Sequence, residues 1–245
     1  MNKLSTWDLI RTSFRLTLVQ SAWTHSSMQS EGLVYSLAPA LSKIYGDQKN
    51  IRKILKHYKI PINTHPFLVP VLAGVLLKME TDKSSTRSII CYITPTMGAL
   101  AAMGDPFFHS ALAFASITAA LIAMLFGPLA GIITLLIMFN TVHVAIRVSG
   151  IFMGYKKGTD AYETLGHWMD SSKTSGLKTA SSITAGILIG LLLFRYAHID
   201  HLLPTIAIAG MLCIITGVLL TMKRSAWIYI LPVFLLLIFI LEVTV

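Results

Sequence analysis

Two short polar clusters interrupt an otherwise apolar chain, Asn63-Thr64-His65-Pro66 and Gly104-Asp105-Pro106. Amide and hydroxyl side chains such as Asn63, Thr64 and Gln29 carry donors and acceptors together, which suits the hydroxyls of a neutral polyol. Asn63-Thr64 also reads as a helix cap before Phe67, because Asn and Thr are preferred caps and Pro is favoured just after them. The two readings are compatible. Asp105 stands at the mouth of a long apolar stretch, where a carboxylate is either a functional group or the cap of the following helix.

The eight histidines, His25, His57, His65, His109, His143, His167, His198 and His201, show no HExxH pair or comparable grouping with carboxylates. No metal site or other cofactor is expected. His198 and His201 with Asp200 come closest, and a polar interfacial loop explains them better. Asn140, His143 and Arg147 recur at helical spacing and imply a helix face buried in protein or reaching a polar interface, with a proton path as the sharper alternative. No P-loop, dinucleotide fingerprint or nucleophile elbow is present, so no catalytic residues are assigned. Cys91 and Cys213 lie far apart in apolar stretches and read as packing residues.

The elements that must position these groups belong to a membrane. The chain has 245 residues, of which 54% are hydrophobic and 13% charged, more apolar surface than a soluble core of this size needs. Apolar runs predict roughly five transmembrane helices, near 107–126, 128–149, 180–195, 204–222 and 226–242, with Phe126-Gly127-Pro128 as the turn between the first two. The net charge of +9 follows from Lys and Arg concentrated before residue 88 and around the spans, so topology accounts for it without nucleic acid. That pattern puts the N-terminus in the cytoplasm and the C-terminus outside. Asp8, Arg11 and Arg15 break the first apolar residues, so no cleavable signal is expected.

The expected fold is all-α and polytopic, a single membrane domain. Residues 1–60 read as cytoplasmic or interfacial amphipathic helices, with Trp7, Ile10, Phe14 and Leu18 on one side, and with a basic stretch over 42–58 that suits anionic headgroups or a protein partner. Residues 61–106 contain two apolar pieces, 67–77 and 88–103, cut by Pro66, Pro70, Pro95, Gly98 and Gly104. They read as re-entrant broken segments, which survive at membrane depth only where protein or a water-filled cavity satisfies their backbone. Residues 107–245 hold the transmembrane helices.

Four stretches, SAWTHSSMQSEGLVYSLAPALSKIY, INTHPFLVPVLAGVLLKME, MGALAAMGDPFF and FNTVHVAIRVSGIFMGYKKGTD, occur in an order that resembles the IID component of the mannose/fructose/sorbose family of the bacterial phosphotransferase system. The resemblance implies a multi-pass protein of the bacterial inner membrane that forms the sugar-conducting unit with a IIC subunit, in a higher oligomer of IIC–IID units. Cytoplasmic IIA and IIB proteins would pass phosphate to the incoming hexose, and IID itself would not be phosphorylated. Carried over, Gln29, Asn63 and Thr64 fall at positions associated with the sugar and the subunit interface, and Gly104 with Asp105 at the family's glycine-aspartate turn, read here as a structural or gating turn. His65 stands where a glutamine is usual, and Ala99 and Ala102 replace a proline and a glycine. His65 is therefore counted among the substrate-binding candidates. The same departures keep open an alternative, a divergent non-transporting scaffold in a membrane regulatory complex.

Overall fold

The computed structural model describes residues 3–46 and 48–196, with side chains described for 3–46 and 51–190. Every regular element among them is helical. The chain divides into two units, Met1–Ser182 and Ile183–Val245, and the elements below belong to the first apart from the end of the last helix.

The amphipathic N-terminal region forms three helices, α1 (Thr6–Leu16), α2 (Ser30–Tyr45) and α3 (Gln48–His57). A capping box starts α1: the Ser5 side chain accepts from the Asp8 N–H, and the Asp8 carboxylate accepts from the Ser5 N–H. Lys43 pairs with the same carboxylate at 2.6 Å and ties α2 to α1. Packing decides which side of α1 is buried. Leu9, Thr12, Ser13 and Leu16 are buried, whereas Trp7 and Phe14 are each 70% exposed and Ile10 is half-buried, so the apolar side read from the sequence stays largely open.

The centre of the core is α4 (Val69–Thr81), in which Val69 to Leu77 are all buried. A helix apolar all round belongs in an interior. The first broken piece expected from the sequence is thus an intact helix enclosed by protein. It crosses α7 (Pro128–Lys157) at backbone contact: a Cβ on Gly74 would lie 2.3 Å from the Ile151 carbonyl oxygen, and one on Gly154 would lie 2.3 Å from that of Val71. Gly150 and Gly154 form a small-xxx-small pair on α7, the pattern by which helices approach closely where lipid gives no hydrophobic drive. At the end of α4, Glu80 is buried and accepts hydrogen bonds from the hydroxyls of Tyr45 and Tyr58. Burial, reinforced by the adjacent carboxylate, pushes both phenols up from their ordinary range, so they remain donors.

The second piece also differs from expectation. Thr86 to Phe126 is one helical run: α5 (Thr86–Gly104), a π-helical turn over Asp105–Leu112, α6 (Ala113–Ala123) and a short 3-10 end. Pro95 lies inside α5 without ending it. The chain does not turn at Gly104-Asp105. Asp105 has helical dihedrals, and the sequence punctuation there changes the winding from α to π instead. The turn at Gly127 is as read, with φ 141°, a conformation that favours glycine, and Pro128 as the first residue of α7.

Among the described residues, two stretches, Thr86–Phe126 and Pro128–Gly190, are long and apolar enough to cross a membrane. Their outer faces stay apolar and open, with Phe126 87% exposed and Leu129, Ile137 and Ile132 also exposed. The expected span at 180–195 is part of α9 (Ser171–Tyr196), which follows the short α8 (Ala161–Trp168). Spans 204–222 and 226–242, with His198, Asp200, His201 and Cys213, lie outside the described residues. Cys91, read as a packing residue, is exposed on α5.

Candidate functional site

The segment between α3 and α4 is clamped from its far side by the start of α2. Gln29 sits at the N-cap of α2, 2% exposed, and both ends of its amide engage one residue: Nε2 donates to the Thr64 carbonyl at 2.7 Å and Oε1 accepts from the Thr64 N–H at 3.2 Å. The Gln29 N–H donates to the Ile62 carbonyl, and Ser30 Oγ donates to that of Tyr58. A buried loop must satisfy its backbone somewhere, and here α2 does so. Gln29 is consequently a strut, with its amide committed to backbone.

Of the four substrate-binding candidates, Asn63 is exposed and Thr64 and His65 are buried. The capping reading of Asn63-Thr64 does not hold, because α4 starts at Val69 with Leu68 at its N-cap and no side-chain cap bond. Local capping falls to His65, whose carbonyl accepts from the Leu68 N–H at 2.9 Å and whose Nδ1 accepts from the Phe67 N–H at 3.3 Å.

His65 is the hub of the arrangement. Its ring stacks on Phe108 at 4.7 Å between centroids and 14°, meets Phe67 edge-on at 5.1 Å, and lies 5.0 Å from the His109 ring. Phe67 in turn stacks on His143 at 4.5 Å, with the Arg147 guanidinium 5.0 Å from its centroid. Three clusters far apart in sequence, 63–67, 105–109 and 143–147, thus meet through two aromatic rings. Asn140 is not brought in: it is exposed, and its amide donates to its own helix at Leu136.

Gly104 is what lets the π-turn approach, since a Cβ there would lie 2.5 Å from both Cβ and Cγ of His65. Asp105 and His109, both exposed, come within 4.8 Å of His65 by their ligand atoms. Burial is the main cause that lowers the His65 pKa to about 4, followed by the neighbouring His109, so the ring is neutral near pH 7. The junction also collects unsatisfied polar atoms: Thr64 Oγ1, His65 Nε2, His143 Nδ1 and Arg147 Nε are buried without a hydrogen-bond partner. Among the described residues no carboxylate lies within ion-pair distance of Arg147. A cleft of about 410 Å³ opens beside the same π-turn, lined by Ala102, Pro106, Asp170 and Lys178 among others.

Sequence reading alone missed Phe67, Phe108 and His109 as members of this junction, and missed the Glu80–Tyr45–Tyr58 cluster. Aromatic residues in apolar runs carry no signal of their own. The glycines at 150 and 154 did carry one, a four-residue spacing on one helix face.

The model of the PTS system mannose/fructose/sorbose family IID component matches residues 3–241. The mannose-specific EIID component of Escherichia coli strain K12 is 32% identical over 207 residues, which cover 81% of this chain and 71% of that protein. The sorbose-specific EIID component of Klebsiella pneumoniae is 27% identical over 194 residues, 76% of this chain and 70% of the other. Among solved structures, the mannose transporter ManYZ in complex with microcin E492 contains a chain that aligns with TM-score 0.60 at 24% identity, covering 97% of this chain and 96% of its own. A second structure, described as a membrane protein, aligns with TM-score 0.63 at 29% identity over 78% of this chain and 71% of its own.

Proposed function

Because this chain belongs to the mannose/fructose/sorbose family of phosphotransferase-system IID components, we propose that it builds a hexose-conducting unit with a IIC subunit, translocating the sugar as IIB phosphorylates it. IIA supplies IIB, and the chain acts without catalytic residues of its own. It lies in the inner membrane with the N-terminus cytoplasmic and the C-terminus external, in a higher oligomer of IIC–IID units.

The observation that carries this reading is the clamped segment 62–65. Gln29 fixes its backbone, which leaves Asn63 exposed and Thr64 Oγ1 without a protein partner. A sugar hydroxyl both donates and accepts, and so suits these two groups. In this scheme Asn63 and Thr64 contact hexose, His65 shapes the site, Gln29 positions it, and Gly104 with Asp105 forms the opposing wall.

Co-purification with IIC followed by hexose binding tests the proposal. Asn63→Ala should abolish or strongly weaken binding, and His65→Gln should change the preference among hexoses. A complex that forms but binds no hexose in any version sinks it.

One observation favours the scaffold reading instead: Gln29 is committed to backbone and His65 is buried, so only Asn63 of the four candidates is exposed in this chain. Uptake that persists after deletion of the chain, with loss of a regulatory phenotype, would select it.

A further inference from the structure

We propose that His65, Asp105 and His109 form a binding site for a divalent transition-metal cation of the zinc or cobalt class. The three residues lie forty or more positions apart at one end and four apart at the other, and the fold brings one ligand atom of each within 4.8 Å of the other two. Two imidazoles and one carboxylate are a donor set for such cations, and three protein ligands leave one position open for water or another ligand.

Two independent features of the junction point to a ligand. His65 is 1% exposed, and its Nε2 is buried with no hydrogen-bond partner, while its Nδ1 is engaged by the Phe67 N–H. The nitrogen left for a ligand is therefore Nε2. The second feature is the π-turn over Asp105–Leu112, which presents Asp105 and His109 to the same ring. Such turns recur at functional sites because they re-aim side chains at a cost in helix regularity. Gly104 removes the one Cβ that would keep the turn away from His65.

Closure is short. Donor atoms around a tetrahedral zinc ion are roughly 3.3 Å apart, so the groups must converge from their present spacing. Asp105 and His109 are exposed and can turn inward, whereas His65 is held by Phe108 and Phe67. Coordination through Nε2 moves the ring proton of neutral His65 to Nδ1 and gives up the 3.3 Å bond from the Phe67 N–H. No proton is released by the imidazole in that exchange. The lost bond makes micromolar affinity the expectation, weaker than that of a closed structural zinc site.

The site is read without reference to the sugar, so it is tested with metal alone. The full-length chain, free of any histidine tag and stripped with chelator, is titrated with Co²⁺ and followed by its visible ligand-field absorption, then by competition with Zn²⁺. One saturable site per chain is expected, weakened at least about tenfold in each of His65→Gln, His109→Gln and Asp105→Asn. The last two alter exposed side chains, and a thermal melt matching that of the unmodified chain shows that they fold. Absence of saturable binding up to about 1 mM overturns the proposal. So does a site whose affinity is unchanged in either His109→Gln or Asp105→Asn, whatever His65→Gln does.

Discussion

The α4–α7 crossing and the junction around His65 lie within one packed unit, yet they are built on opposite terms. At the crossing, glycines bring two backbones into contact, the α4 residues from Val69 to Leu77 are all buried and none of them carries a polar side chain, and the buried Glu80 beyond it has two tyrosine donors. At the junction four buried polar atoms lack partners. An unsatisfied buried polar group costs about 1–3 kcal/mol. A fold that closes one region completely can tolerate an open one beside it, and in the proposals above the open one is where a ligand would contribute the missing bonds.

The comparison breaks most sharply at the crossing. Gly154→Ala places a methyl 2.3 Å from the Val71 carbonyl oxygen, where backbone rather than a flexible side chain must yield. A loss of about 3 kcal/mol or more is expected, at the upper end of overpacking effects, read as a large fall in the thermal midpoint of the purified protein. Gly104→Ala makes the matching test at the junction, since its methyl meets His65 Cβ at 2.5 Å. A smaller destabilisation, about 1–3 kcal/mol, should accompany loss of ligand binding, because the π-turn can retreat but no longer faces His65.

A pair of hydroxyl deletions sharpens the contrast. Tyr58→Phe removes a donor from a buried carboxylate and should cost about 1–2 kcal/mol. Thr64→Val replaces a buried hydroxyl that has no partner, so stability should stay level or rise slightly while hexose binding weakens. Equal losses of stability in the two variants would erase the distinction drawn between the regions.

The smallest effect lies outside both regions, at the α1–α2 contact. Burial raises the Asp8 pKa, but hydrogen bonds from Lys43 and Ser5 outweigh it and hold the carboxyl below its ordinary value of 3.8. The unfolded chain therefore binds the proton first. Stability from this group is complete above pH 3.8 and is lost as the pH falls through the lowered value. Lys43→Ala should reduce that acid sensitivity, seen as a smaller shift of the melting midpoint between pH 5 and the acid end.

Much of the fold is legible without coordinates. The apolar runs and the Gly127-Pro128 turn follow from local chemistry, and family membership follows from motifs in order. Expectations about 61–106 fared differently. Pro70 begins a helix rather than breaking one, Pro95 lies inside a long run, and Gly104-Asp105 alters winding without turning the chain. Proline and glycine report that the backbone is unusual; the neighbours that compensate decide how.

The site divides along the same line. Composition and spacing by themselves determine that this is a membrane chain with polar residues at Asn63, Thr64, His65 and Asp105, because insertion and polarity depend on residue type. Only tertiary structure decides that Gln29 is a strut, that the expected apolar face of α1 stays largely open, and that His65 meets Asp105 and His109. Those outcomes depend on which of several compatible faces each helix buries, and that choice is made by close packing between residues distant in the chain, with Gly104 and Gly154 setting how near they come.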